Sequence, residues 1–421
     1  MFRPEGFSEV IFKDRYAFTE EETWDEACVR WARQMATAET PDKVEKYTEK
    51  FYEQLVNNRF IAGGRILYGS GRPHPNMLNC FVLENKLDSK EGWGEIARQM
   101  IITNMSGGGC GIDFSDVRPR GAEIKGQRGE APGAVELMKL VNSAGGPIKA
   151  GGVRRVALMF SLDMDHPDIE EFLDAKIKDG QLTMANISVR LKDTEKFIEA
   201  VETDGDWELS WKGKYKKTIK AKKLWDRIVS NAYDHADPGI LNHGLALSES
   251  TIYYLKELVT TNPCGEIWLS VGESCDLGHL VLPRFVKDDG KINWEMMGET
   301  IRMGVRFLDN VLTVNHYPMK NMEEVGHDLR RIGLGVTGLA DMVALMGIKY
   351  GSEEGNKFFD HLFRFISKSA YEASVMLAVE KGMFVGCDPE KHVNSGYVKR
   401  MTPKIKALIK EHGIRNCALL L

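Results

Sequence analysis

Short apolar patterns typical of β-strands alternate with amphipathic helix patterns along most of this chain. A strand pattern covers residues 79–83, strand and helix patterns alternate over 280–282, 294–310 and 330–341, and a long helical pattern covers 354–381. The final stretch, 413–421, is apolar and is predicted to be a strand. Parallel strands need helical crossovers, so this alternation favours an α/β architecture with a largely parallel sheet.

The first part of the chain has a different pattern. Trp24, Ala27, Cys28 and Trp31 follow one another at spacings of three and four residues, and a second amphipathic run continues to Leu55. This periodicity is typical of helices that bury one face. We therefore expect an N-terminal helical lobe over residues 1–75 and an α/β domain over 76–421.

Composition limits the classes of protein to consider. The 421 residues are 43% hydrophobic and 28% charged, as in globular proteins with a sizeable core, and the net charge of −5 gives no general attraction to nucleic acid. No apolar run is long enough for a membrane span, and the start lacks the apolar core of a signal peptide. Seven cysteines without a Cys-x-x-Cys or zinc spacing indicate a reducing, cytoplasmic compartment, and no metal site is predicted.

The stretch from Thr261 to Glu266 combines three reactive residue types. Pro263 and Gly265 disfavour a helix, and an extended backbone would put Asn262, Cys264 and Glu266 on one face. An amide can orient a hydroxyl group, a carboxylate can accept its proton, and a thiol can do redox or radical chemistry. The alternative is a Pro-Gly turn with a buried cysteine.

Two glycine-rich segments also allow two interpretations each. A helix capped near Asp88 and Ser89 is predicted to end in the 106–111 stretch, which is either a helix stop or a cradle whose backbone amides meet a ligand. The 145–155 stretch ends in Arg154 and Arg155 and is either a solvated loop or a nucleotide-responsive switch.

Two polar clusters are better explained without a ligand. Asp165, His166, Asp168 and Glu170 resemble a metal site, but acids in the first turn of a helix explain them more simply. The lysine-rich run over 212–223 is predicted to be a solvated face, with nucleic-acid binding as the weaker alternative.

Three separated segments together carry a family resemblance. The stretch Asn262–Glu266, Cys275 eleven residues after Cys264, and the stretch Asn79–Leu83 resemble the catalytic subunit of ribonucleotide reductase. The resemblance covers nearly the whole chain. It implies a ten-stranded α/β barrel in which a finger loop carries Cys264 through the centre, shielded from solvent.

The resemblance also implies a role for each residue of the motif. Cys264 would carry a thiyl radical, Glu266 would accept the 3′-hydroxyl proton, and Asn262 would hold the sugar by hydrogen bonds. Cys80 and Cys275 would close to a redox-active disulfide and deliver two electrons to a ribonucleotide, giving a deoxyribonucleotide. An external dithiol such as thioredoxin or glutaredoxin would re-reduce them.

Regulatory residues are implied over about 88–156. The residues that match the effector site for a dNTP or ATP are Asp88, Ser89 and Arg118, and those that match the substrate and its specificity loop are Gly107, Gly108, Gly151, Gly152, Arg154 and Arg155. The helices at about 90–105 and 132–144 would pack against a second copy, so a homodimer is expected.

The match departs from the family at both ends of the chain. We expect no separate ATP-sensing domain before the helical lobe, and an incomplete barrel without the phosphate-binding loop and the C-terminal cysteine pair. The radical source is either adenosylcobalamin or a separate ferritin-like subunit, which is slightly favoured because so small a chain offers little to hold a corrin.

Two other functions are compatible with parts of this pattern. A catalytically silent nucleotide-binding relative would act as a regulatory subunit, although it would not need the complete set of motif residues. A thiol-disulfide oxidoreductase would use Cys264 and Cys275, but the spacing is not Cys-x-x-Cys.

Overall fold

The structure is a computed structural model that describes residues 2–124, 128–150, 154–177 and 182–419. It divides into two compact units, one formed by residues 1–79 together with 274–421 and the other by residues 80–273. We refer to them as the discontinuous unit and the central unit. No helix of the described residues is long and apolar enough to cross a membrane.

The secondary structure confirms the predicted alternation of helices and strands. The helices are α1 Phe7–Arg15, α2 Trp24–Ala36, α3 Val44–Val56, α4 Gly64–Gly69, α5 Lys90–Met105, α6 Ala134–Gly145, α7 Ile169–Asp174, α8 Thr194–Glu202, α9 Ala221–His235, α10 His243–Glu249, α11 Trp294–Val314, α12 Lys320–Leu329, α13 Leu339–Leu345, α14 Glu353–Lys381, α15 Pro389–Val393 and α16 Pro403–His412. The strands are β1 Phe60–Ala62, β2 Cys80–Val82, β3 Gly109–Asp113, β4 Lys149–Ala150, β5 Arg154–Arg155, β6 Leu158–Asp163, β7 Ala185–Leu191, β8 Asp206–Trp211, β9 Lys214–Lys220, β10 Gly239–Asn242, β11 Thr260–Thr261, β12 Trp268–Leu269, β13 Ser274–Cys275, β14 Leu277–Val281 and β15 Gly333–Thr337.

In the discontinuous unit, a capping box that the sequence analysis did not identify begins α2. The hydroxyl of Thr23 accepts a hydrogen bond from the amide of Glu26, whose carboxylate accepts from the amide of Thr23. This capping box satisfies donors that the first helical turn leaves free. The predicted apolar face is buried, and the indole of Trp31 donates to the carbonyl of Leu67 at 2.9 Å.

Helix α11 of this unit carries charged groups into the core. Arg306 pairs with Glu39 at 2.9 Å and Asp309 pairs with Arg330 at 2.7 Å, and all four side chains are buried. Breaking such a pair would leave an uncompensated buried charge, so the pairs determine how the helix packs.

The strand predicted at the end of the chain is wrong for the described residues. Residues 413–419 form no strand, although the carbonyl of Leu419 accepts from the amide of Leu334 at 2.8 Å. Bends at 415–417 interrupt the regular hydrogen-bond ladder that a strand requires.

In the central unit, five strands lie side by side in the order β10, β7, β6, β3, β2, and all four neighbouring pairs are parallel. Strands β2, β3 and β6 are buried along their whole length, as expected for a parallel sheet covered on both faces. The α/β prediction is confirmed, and the curved sheet has the form of half a barrel.

The two polar clusters serve the fold of the central unit. The ring of His166 accepts from the amide of Asp168 and donates to the carbonyl of Val117 at 2.9 Å, and the carboxylate of Asp168 accepts from the amides of Arg120 and Ala134. Lys216 pairs with Glu208 and Lys220 with Asp206. Among the described residues, no group of three or more His, Cys, Asp or Glu side chains is arranged to hold a metal ion.

Candidate active site

The Cys264 segment is a hairpin turn, so the prediction of an extended backbone is wrong. Strands β11 and β12 pair antiparallel, and residues 263–266 turn between them. The amide of Gly265 donates to the carbonyl of Asn262 at 3.0 Å, and Gly265 has a φ of +85°. Pro263 suits the second position of such a turn, and glycine adopts the positive φ without a Cβ clash.

The hairpin nevertheless brings the predicted polar groups together. The side-chain amide of Asn262 donates to the carboxylate of Glu266 at 2.5 Å and lies 3.6 Å from the sulfur of Cys80. Asn262 is fully buried and Cys80 is 9% exposed. A carboxylate, an amide and a thiol therefore meet at the base of the turn that carries Cys264.

Two glycines of β3 allow the hairpin to lie against the sheet. A Cβ on Gly111 would lie 2.0 Å from the carbonyl oxygen of Thr261, and a Cβ on Gly109 would lie 2.8 Å from Cγ of Pro263. Glycine is needed at both positions because the hairpin of the same chain approaches the backbone of β3 closely. The interpretation of the 106–111 stretch as a cradle for a ligand is therefore not required for these two positions.

Buried polar side chains of the sheet hold the hairpin by its first strand. The guanidinium of Arg190 donates to the carbonyl of Val259 at 2.5 Å, and the hydroxyl of Ser161 bonds that of Thr260 at 2.8 Å. Burial, only partly offset by Arg190, raises the pKa of Asp113 to about 6. The contacts of Arg190 and Ser161 with the hairpin fix the position from which the turn projects.

Cys264 lies at the tip of this turn. Its side chain is exposed, as is that of Glu266, so the shielding expected for this loop is not found in the central unit. The physical reason is the turn itself, which carries the thiol away from the buried base formed by Asn262 and Cys80. Partial burial, followed by the charge of Glu266, still raises the pKa of Cys264 above its ordinary value.

The second cysteine of the expected pair belongs to the discontinuous unit. Cys275 is fully buried, and its carbonyl accepts from the amide of Asn79 at 3.3 Å. Cys80 belongs to the central unit, so its pairing with Cys275 stays a prediction. The other buried thiol of the central unit, Cys110, lies 3.2 Å from the amide of Asn104, and burial raises its pKa.

The remaining substrate-loop residues are only partly described. The amides of Gly107 and Gly108 already donate to carbonyls of Asn104 and Thr103 at the end of α5, so a substrate would have to contact other atoms of these glycines. Gly151 and Gly152 lie outside the described residues. The backbone of Arg154 and Arg155 forms β5, which pairs with β4, and the side chain of Arg155 is exposed.

The three predicted effector residues line one cavity of the central unit, with a volume of about 540 Å³. Arg118 forms a forked pair with the carboxylate of Asp88, through Nε at 2.8 Å and Nη2 at 3.1 Å. Ser89 is the N-cap of α5, and its hydroxyl accepts from the amide of Gly92 at 2.8 Å. A helix N-terminus beside an arginine is an environment that favours an anionic ligand.

Seven further residues that the sequence did not assign to a site line this cavity: Lys90, Trp93, Val117, Ile124, Ala131, Pro132 and Gly133. A signal for Lys90 and Trp93 was present, because both lie in the first turn after the Ser89 cap. Ile124 comes from a distant segment, and no local pattern identifies it.

The fold and the site together indicate the class of protein to which the chain belongs. A parallel sheet that curves as half a barrel, with a cysteine-bearing hairpin laid against it, is typical of an α/β-barrel protein. The family models for the barrel domain and the all-alpha domain of ribonucleotide reductase match residues 78–421 and 2–75. The chain belongs to the ribonucleotide reductase large-subunit family.

Curated relatives of two kinds resemble the chain. A vitamin B12-dependent ribonucleoside-diphosphate reductase of Mycobacterium tuberculosis is 34% identical over 398 residues, which are 92% of this chain and 57% of the relative. One of the same name from Thermoplasma acidophilum is 33% identical over 340 residues, or 80% and 44% of the two chains. The ribonucleoside-diphosphate reductase large subunit of Danio rerio is 27% identical over 410 residues, or 88% and 52%. The chain spans about half the length of these relatives.

Proposed function

We propose that the chain carries the catalytic centre of a ribonucleotide reductase, in which the 2′-hydroxyl of a ribonucleotide is replaced by hydrogen. One observation carries the proposal. The amide of Asn262 contacts both the carboxylate of Glu266 and the sulfur of Cys80, directly below the turn that presents Cys264. These are the acid–base, positioning and redox groups that such a reaction needs at one sugar.

The proposed mechanism assigns one task to each side chain. The sulfur of Cys264 carries the radical and takes the hydrogen atom from C3′, after which loss of the neighbouring 2′-hydroxyl becomes feasible. Glu266 accepts the 3′-hydroxyl proton, and Asn262 orients the sugar. Cys80 and Cys275 supply two electrons and two protons, become a disulfide, and leave deoxyribonucleotide and water as products. An external dithiol, thioredoxin or glutaredoxin, then reduces the disulfide.

The radical source requires a separate proposal. The two relatives above with more than 30% identity are named vitamin B12-dependent, which favours adenosylcobalamin over the separate ferritin-like subunit that chain size favoured. Either source would perform the same step, the removal of a hydrogen atom from the Cys264 thiol. No side chain of the described residues is assigned to a corrin or to contact with such a subunit.

An assay with the four ribonucleoside diphosphates and a dithiol tests this function, because the relatives are named for diphosphates. It is run with adenosylcobalamin, with a candidate radical-generating subunit, and with neither. We expect deoxyribonucleotide in one of the first two conditions and none in the third. Absence of product in all three, with nucleotide binding intact, would contradict the catalytic proposal.

That outcome would favour a second candidate, a catalytically silent regulatory relative that binds nucleotides. The exposure of Cys264 and Glu266 is the observation in its favour, because a radical on sulfur needs protection from solvent and stray reductants. The presence of Asn262, Glu266 and Cys80 in contact argues for the catalytic role.

We also propose that the cavity beside α5 binds a dNTP or ATP effector that selects the substrate. A cavity of about 540 Å³ is within the size range of small-ligand sites, and its lining includes two cationic side chains, Lys90 and Arg118. An effector acts on substrate choice only if it binds two states of the protein with different affinity.

Replacing Arg118 by alanine is expected to weaken dNTP binding by about 10- to 100-fold, since a charge-assisted contact contributes roughly 1.5–3 kcal/mol. Isothermal titration calorimetry measures the change. Arg98→Ala is the control, because Arg98 lies on α5, beyond the turn that lines the cavity, and forms an exposed pair with Glu95. Equal affinity of the wild type and Arg118→Ala would show that the cavity is not the effector site.

A homodimer is proposed through the exposed sides of α5 and α6. Met105 is 62% exposed and Leu140 is 44% exposed, and both are apolar side chains on these neighbouring helices. The mass in solution, twice the 47.4 kDa of one chain if the proposal is right, tests it.

A cytoplasmic location, inferred from the cysteine usage, stays a prediction.

A further inference from the structure

The hairpin of β8 and β9 has no role in the proposed chemistry, yet its end has a specific conformation. Trp211 and Lys214 face each other across a two-residue turn, in which Lys212 has a φ of +48° and Gly213 a φ of +73°. Two positive φ values suit the tight turns that join antiparallel strands. Tyr215 also has a positive φ, +53°, which is costly for a bulky residue and points to contacts that hold it.

The end of the hairpin contacts one segment, residues 116–123, at two separate points. At the first point, the indole of Trp211 donates to the carbonyl of Asp116 at 3.1 Å, and the amine of Lys212 pairs with the carboxylate of Asp116 at 2.6 Å. At the second point, the hydroxyl of Tyr215 accepts from the amide of Glu123 at 3.1 Å.

The segment held between these two points carries Arg118. The guanidinium of Arg118 donates to the carbonyl of Glu123 at 3.1 Å and forms its forked pair with Asp88 on the opposite side. The peptide groups of Glu123 are therefore held on both sides, by Tyr215 through the amide and by Arg118 through the carbonyl. Ile124, the next residue, lines the cavity itself.

We propose that the end of the β8–β9 hairpin braces this wall of the cavity, and that Tyr215, Trp211 and Lys212 are positioning residues for the nucleotide bound there. The proposal rests on the proposed effector function of the cavity. A segment that is held in its binding conformation before the ligand arrives loses less conformational freedom on binding. Weakening the brace therefore lowers nucleotide affinity, although none of the three side chains lines the cavity.

The test compares the full chain with three variants: Tyr215→Phe, Trp211→Phe and Lys212→Met. Calorimetric titrations with dTTP, dATP and dGTP are expected to show affinities lower by about two- to tenfold, the range for loss of one hydrogen bond or exposed ion pair. Lys212→Arg keeps the charge and is expected to bind as the wild type does. Tyr233→Phe is the control, since Tyr233 belongs to the same unit and is 90% exposed.

A second measurement separates positioning from a general loss of stability. The melting temperature without nucleotide is expected to be unchanged, because the braced contacts are largely solvent-exposed, whereas the rise in melting temperature on adding nucleotide becomes smaller in the three variants.

Failure of this proposal is distinguishable from failure of the effector function. Wild-type affinity in all three variants, together with loss of binding in Arg118→Ala, would overturn the brace and leave the effector site standing. No binding of any of the three nucleotides by the wild type would overturn both. An equal loss of melting temperature with and without nucleotide would show a purely structural role and would also overturn the brace.

Discussion

Replacing Cys264 by serine is expected to abolish deoxyribonucleotide formation completely while effector binding stays at the wild-type level. A serine hydroxyl has the shape to occupy the turn, but oxygen does not hold an unpaired electron as sulfur does, so no hydrogen atom leaves C3′. The turn should survive, because its hydrogen bond runs between backbone atoms of Asn262 and Gly265. Product formation from radiolabelled nucleotide measures the result.

The matched control for this experiment is Cys387→Ser. Cys387 is partly buried and lies in the discontinuous unit, and we assign it no chemical role. Full activity in the control together with zero product in Cys264→Ser supports the radical role. Residual turnover in Cys264→Ser would remove that role from Cys264.

The second large effect is expected when alanine replaces Gly111, which adds one methyl group to strand β3. In Gly111→Ala, the new Cβ would lie 2.0 Å from the carbonyl oxygen of Thr261, a backbone atom that no side-chain rotation can move away. The hairpin or strand β3 must therefore shift. A displacement of about 1 Å at a catalytic group costs roughly 100-fold in rate, and overpacking costs about 1–3 kcal/mol of stability.

Both quantities are measurable, the first from product formation and the second from denaturant unfolding. Gly94→Ala is the control, because nothing lies within 4 Å of a Cβ at that exposed position on α5 and alanine favours the helix. Wild-type rate and stability in Gly111→Ala would mean that the hairpin does not lie against β3 as described.

Helices were the part of the fold that local pattern predicted well. The cap at Ser89 and the apolar face of α2 depend on residues within one or two turns, so the sequence contains the information directly. The site was harder to predict, because its contacts join distant segments. Asn262 and Glu266 were expected to meet through an extended backbone and instead meet across a turn.

The glycines of β3 show why the contacts between distant segments could not be predicted from the sequence. Their density indicated a close approach, but only the fold identifies the approaching atoms as Thr261 and Pro263 of the same chain. In the proposed effector cavity, Asp88 and Arg118 follow from the family resemblance and not from any periodicity. The lysine-rich pattern predicts a solvated face for Tyr215, because its partner Glu123 is distant in sequence.

The raised pKa of the exposed Cys264 thiol has a chemical consequence for the protein in a cell. At neutral pH the sulfur keeps its proton, and only the deprotonated form reacts readily with peroxide or with another disulfide. The raised pKa therefore lowers the fraction of Cys264 present as the reactive thiolate. Protonation thus slows the reactions of a thiol that the turn leaves exposed to solvent.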